Sequence, residues 1–287
     1  MSSPSAGHVG RSTVRPNPET IRPAPLRTIL HTDDGVTIDS VYDPPAAVYD
    51  TSAPPRVDLV FVVAHGFTGD VDKPHVRRVV EAFTQFGAVV SFSFRGHGAS
   101  GGRSTVGDKE VLDLAAAVEW ARGLGHARVA TVGFSMGGSV VLRHAALYGR
   151  ERGGRTEAGT DAVVSVSAPA RWYYRGTAPM RKLHWLVTRP EGRLVGRYGF
   201  GTRIHHREWN PVPLSPVEAV PRIAPTPLLI VHGDRDGYFP LDHPRMLAAA
   251  AGEHGELWVE SGMGHAEHAV TDELLARIGG WAAGAAG

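Results

Sequence analysis

From residue 26 onward the hydrophobic positions fall into two alternating patterns. Short runs rich in β-branched residues occur at 26–31, 36–42, 57–64, 88–94, 128–132, 162–166, 227–231 and 256–259. Several are apolar at every position, as in Leu59-Val60-Phe61-Val62-Val63-Ala64. Continuous apolarity implies burial on both faces, the environment of a parallel strand between helical layers. Helical patterns lie between the runs, near 74–86, 109–124, 136–148, 241–251 and 267–283. Strand–helix alternation with doubly buried strands predicts a wound α/β sheet with helices on both faces. The first two runs, separated by Thr32-Asp33-Asp34-Gly35, predict an antiparallel hairpin at one edge. No internal repeat is present.

One stretch breaks the rhythm. Residues 171–220 separate two predicted strands and far exceed an ordinary connection. They hold seven of the chain's 22 aromatic residues, with nine basic and three acidic residues. An insertion after a strand end in such a sheet covers the edge where ligands bind. It is read as a small, partly helical cap on a domain spanning 26–287.

Bulk composition narrows the function classes. A hydrophobic share of 42% and a charged share of 21% suit a globular chain with a buried core. The net charge of +1 offers no global field for nucleic acid or membrane. With no cysteine, disulfides and thiolate metal sites are excluded. Residues 1–25 are rich in Ser, Pro and Arg and lack an apolar core, so a disordered tail is expected and not a secretory signal. Nowhere do 18 apolar residues follow one another, so no stable membrane insertion is expected. A cytoplasmic protein is the default.

The chemistry concentrates at Gly133-Phe134-Ser135-Met136-Gly137, between a predicted strand and a predicted helix. A G-x-S-x-G in that context is the pattern of a nucleophile elbow. Such a serine sits at strained positive φ with its oxygen exposed, and flanking side chains would collide with the strand and helix. A serine hydroxyl needs a base to take its proton and a third group to orient that base. A carboxylate and a histidine are therefore expected at strand ends on the same edge.

With those partners the chain resembles the α/β-hydrolase fold family over nearly everything after residue 30. Its motifs follow that family's order of Ser, Asp, His. His232-Gly233-Asp234-Arg235-Asp236-Gly237-Tyr238-Phe239-Pro240 resembles the acid loop, in which the acid stands three residues after the glycine and four before the proline. Asp236 fits, and Asp234 reads as a turn residue capping backbone amides. Gly262-Met263-Gly264-His265 resembles the histidine loop, with His268 as the rival expected to face solvent. Ala64-His65-Gly66-Phe67 matches the oxyanion loop, which implies backbone donors at Phe67 and Met136 and a structural role for His65. Arg95-Gly96-His97-Gly98-Ala99-Ser100-Gly101 resembles a further loop, with Ser93 where many relatives carry aspartate. That departure is expected to alter loop packing only.

The resemblance implies a cofactor-free, metal-free serine hydrolase of a small-molecule acyl substrate. An ester is the first expectation. Thioesterase, peptidase or amidase and carbon–carbon hydrolase activities remain open on the same triad, as does a non-catalytic ligand-binding module. Dehalogenase and epoxide hydrolase relatives use an aspartate where Ser135 stands. Metal readings of His205-His206 with Glu208, and of His265 with His268, are disfavoured. The cap arginines either attract an anionic part of the substrate or keep an aromatic insertion soluble. A cap that docks on a membrane or protein partner is permitted by its charge, though no sustained amphipathic run demands it. Oligomeric state is not encoded legibly.

Overall fold

The computed structural model describes residues 24–46, 58–149 and 156–287. The expected tail lies outside these residues up to position 23. Eight strands form one sheet: β1 (Leu26–His31), β2 (Thr37–Asp43), β3 (Leu59–Ala64), β4 (Ala88–Phe92), β5 (Arg128–Phe134), β6 (Ala162–Val166), β7 (Leu228–Gly233) and β8 (Gly255–Glu260). Their spatial order is β1-β2-β4-β3-β5-β6-β7-β8. Strand β2 pairs antiparallel with both β1 and β4, and every other pairing is parallel. The predicted edge hairpin is therefore present, in a mostly parallel sheet.

Helices α1 (Pro74–Phe83), α2 (Glu110–Gly123) and α3 (Met136–Leu147) follow β3, β4 and β5. Between β6 and β7 lie α4 (Ala178–Thr188), α5 (Pro190–Gly199) and the single turn α6 (Pro216–Ala219). The chain closes with α7 (Asp242–Ala251), α8 (Ala266–Ala269) and α9 (Asp272–Ala285). Two apolar clusters flank the sheet. Val60, Val62 and Val90 pack with Leu114, Val140 and Leu247 of α2, α3 and α7. Phe61, Val63 and Val89 face Val80, Phe83, Leu275 and Ile278 of α1 and α9. Every residue of β3, β4, β6 and β7 is buried, as doubly covered strands require.

The single helix expected over 267–283 is broken in two. Thr271 leaves helical geometry and its side chain accepts the Leu274 N–H at 3.1 Å, capping α9. Asp272 and Glu273 then occupy the first turn, where negative charge meets the helix dipole favourably. Among the described residues no helix is long and apolar enough to cross a membrane.

His144 of α3 is completely buried, stacks on Tyr148 at 4.7 Å, and neither ring nitrogen has a hydrogen-bond partner among the described residues. Burial pushes its pKa from 6.5 down to about 3. As pH falls below about 6.5 the unfolded chain takes up this proton while the folded chain refuses it. The destabilisation is absent above pH 6.5 and grows toward pH 3, by up to about 1.4 kcal/mol per pH unit. His144→Leu is therefore expected to raise the urea midpoint more at pH 5 than at pH 8. Equal changes at the two pH values would contradict this.

Candidate active site

The elbow forms because two glycines let three backbones touch. Ser135 follows β5 directly, starts α3, and holds φ at 51°, ψ at −110°. Its N–H donates to the Val166 carbonyl at 2.8 Å, which fixes the turn to β6. A Cβ on Gly133 would lie 2.2 Å from the Gly137 carbonyl oxygen, and one on Gly137 would lie 2.1 Å from that of Ala64. Only glycine fits either position.

Three strand ends converge on the serine. His265 Nε2 lies 2.8 Å from Ser135 Oγ, and His265 Nδ1 lies 2.8 Å from Asp236 Oδ2. An ionised carboxylate only accepts, so Nδ1 carries the proton and Nε2 is left to accept from the hydroxyl. Asp236 Oδ1 accepts the Tyr238 and Phe239 N–H groups at 2.8 and 3.1 Å. Burial alone would raise this carboxyl. The His265 hydrogen bond and charge, with the Phe239 N–H, outweigh it and hold Asp236 below its ordinary value. Tyr238 stacks on the His265 ring at 4.2 Å.

The rival residues fall elsewhere. Asp234 Oδ1 accepts the Gly262 N–H at 2.7 Å, a side-chain-to-backbone bond that ties the acid loop to the histidine loop. His268 is exposed and packs against His75 at 3.9 Å. His65 is buried between the Gly66 carbonyl at 2.6 Å and the Phe94 N–H at 3.0 Å, a neutral strut. Arg95 is buried and binds Asp113 and Asp34, which anchors the glycine-rich loop after β4. Ser93, in place of the relatives' aspartate, accepts the Val71 N–H at 3.1 Å.

Phe67 and Met136 line a cavity of about 400 Å³ that opens beside Ser135. Neither of their backbone N–H groups is hydrogen-bonded to another described residue. The cavity's other walls come largely from the connection between β6 and β7, with Trp172, Met180 and Val187 among them. His75, Glu267 and His268 form the one group among the described residues whose ligand atoms, all within 4.8 Å of one another, could meet a metal ion.

The sequence model of the alpha/beta hydrolase family matches residues 59–277. The chain belongs to that family. Among its relatives, a monoacylglycerol lipase of Mycolicibacterium smegmatis is 28% identical over 247 residues, covering 76% of this chain and 85% of the lipase. A solved Pyrococcus furiosus esterase aligns with TM-score 0.67 at 23% identity, covering 92% of this chain and 94% of that one. The esterase domain of a Rhodothermus marinus protein aligns with TM-score 0.62 at 20% identity, covering 92% and 100%. These structures share the fold.

Two positions of this alpha/beta hydrolase escaped the motif reading. Ser167 follows β6 at φ 52°, and its hydroxyl accepts the Ala266 N–H at 3.1 Å, next to His265. Its position just past a strand end on the same edge was the available signal. Glu267 is buried, and its Oε1 accepts the Gly66 N–H at 2.8 Å, beside Phe67. Glu267→Ala is expected to lower kcat by roughly ten- to a hundredfold with little change in KM, through a misplaced loop. Glu267→Gln keeps an acceptor and restores most of the rate. If both variants lose kcat equally, the carboxylate acts otherwise than by holding Gly66.

Proposed function

We propose that this chain hydrolyses carboxylic esters through a serine acyl-enzyme. The observation that carries the reading is the unbroken chain Asp236–His265–Ser135, with both links at 2.8 Å, at the wall of an apolar cavity. Ser135 Oγ attacks the ester carbonyl while His265 Nε2 takes its proton. Asp236, held ionised, keeps the imidazole oriented and stabilises the imidazolium. The oxyanion is received by the free N–H groups of Phe67 and Met136, each worth roughly a hundred- to thousandfold in rate. The imidazolium returns its proton to the leaving alcohol, and the C–O bond breaks. Water, deprotonated by His265, then attacks the acyl-enzyme and releases the acid and Ser135.

Ester is preferred over thioester, amide or carbon–carbon bonds because the relative at 28% identity is a monoacylglycerol lipase and esterases share the fold. In this reading the segment 171–220 is a cap that supplies the acyl pocket.

The test pairs a fluorophosphonate probe with a p-nitrophenyl ester panel. A single adduct mapped to Ser135, together with ester turnover, supports the reading. Well-folded protein that neither labels nor turns over esters would overturn it in favour of a ligand-binding role.

A further inference from the structure

The cavity beside Ser135 changes character between its buried and exposed walls. Phe67, Met136, Trp172, Met180 and Val187 make the sheltered part apolar, whereas Arg175 and Arg207 lie on the exposed part, with Arg193 half-buried. Glu208 is the single carboxylate in the lining, and it pairs with none of these arginines. Arg171, also in the lining, is already matched by Asp242 at 2.9 Å. The other three have no carboxylate partner among the described residues.

Their placement is specific. Arg193 donates to the Thr188 carbonyl at 2.9 Å at the end of α4, which holds its guanidinium at the cavity. Arg175 is braced by His184 Nδ1 at 3.2 Å. Arg207 makes no side-chain hydrogen bond to a described residue. The local field is positive: partial desolvation, then His205, Arg207, Arg103 and Arg193, hold His206 below its ordinary pKa. Glu208 is the one carboxylate side chain that shares this part of the lining. Solubility alone does not require this arrangement, because Arg181, Lys182 and Arg197 on the same connection are exposed without lining the cavity.

We propose that this rim is an anion subsite, which takes a carboxylate or phosphate carried by the ester substrate at a distance from its scissile carbonyl. The proposal rests on the ester-hydrolase reading and adds the charge of the substrate. A planar guanidinium fork binds either anion with two parallel hydrogen bonds, and the apolar wall accommodates the carbon chain between anion and ester. The same field disfavours a cationic substrate.

The experiment compares p-nitrophenyl esters of equal length: mono-p-nitrophenyl adipate with its free carboxylate, the corresponding methyl ester, and an ω-trimethylammonium analogue. The expected kcat/KM for the anionic ester exceeds that of the methyl ester by about tenfold at low salt. The cationic ester is slowest, and 0.5 M NaCl compresses the series. Arg207→Gln lowers the anionic-to-neutral ratio several-fold, and Arg193→Gln does the same should Arg207→Gln misfold. Equal kcat/KM for all three esters, or a ratio unmoved in both variants, overturns the subsite while leaving the esterase reading intact. If no ester is turned over, calorimetry of monomethyl adipate with the Ser135→Ala protein decides. Binding weakened by Arg207→Gln supports the subsite, and no binding refutes it. A phosphate-bearing ester in the same series tells which anion is preferred.

Discussion

Replacing Ser135 by alanine is expected to lower kcat for a carboxylic ester by about a millionfold, with the folded protein preserved. The size of the effect follows from the geometry. Ser135 Oγ makes one hydrogen bond, to His265, so its removal leaves the packing of the elbow unchanged. Alanine adopts the strained φ of 51° no less readily than serine, and Tm should move by only a few degrees. Attack on the carbonyl then falls to water, with only the proposed oxyanion donors and binding to assist it. The residual rate therefore sits roughly 10³- to 10⁴-fold above the uncatalysed reaction. Fluorophosphonate labelling is abolished. Steady-state kinetics on protein purified free of host esterases, with Tm measured alongside, checks the prediction. A variant retaining more than about one part in a hundred of the activity would place the nucleophile elsewhere.

Gly137→Ala should act in the opposite way, by removing the fold and not the chemistry. The added Cβ would stand 2.1 Å from the Ala64 carbonyl oxygen and 2.6 Å from that of His65. Both atoms are backbone, and Ala64 is locked in the parallel ladder opposite Gly133. No rotamer change relieves the clash, so α3 must lift from β3. Overpacking of this severity lies above the usual 1–3 kcal/mol, and a loss of about 4 kcal/mol corresponds to a fall in Tm of roughly 10 °C or more. The expected outcome is insoluble or strongly destabilised protein. Gly123 provides the contrast. It ends α2 with nothing within 4 Å of its would-be Cβ, so Gly123→Ala should be neutral or stabilising by up to about 1 kcal/mol. Thermal melts of the two alanine variants side by side test the argument. Similar small shifts in both would mean that the elbow yields far more easily than its contacts imply.

Much of this architecture was legible because its signals are local. Leu59–Ala64 reads as a strand from continuous apolarity alone, and all six residues are buried. The elbow, acid and histidine motifs lie directly at strand ends, so alternation along the chain suffices to bring them to one edge. What escaped depends on contacts between distant segments. Glu267 meets Gly66 across 201 positions, and nothing in the periodicity around either residue announces the pairing. The break at Thr271 was missed because the apolar spacing continues through it, although Thr271-Asp272-Glu273 is a start signal. Inside the connection from β6 to β7, α4 and α5 begin with early prolines that mark helix starts. Their extents resisted the amphipathic rule because Leu194, Val195 and Tyr198 remain exposed on α5.

The bond from Glu267 to Gly66 also bears on how this enzyme could be re-engineered. Two loops far apart in the chain, one bearing His265 and one bearing Gly66 and Phe67, are fastened to each other here. A chimera that imports only a relative's segment 64–67 inherits a carboxylate shaped for this backbone and not for the donor's. Recombination would succeed at boundaries that carry 64–67 and 265–267 together, and would fail at crossovers that part them.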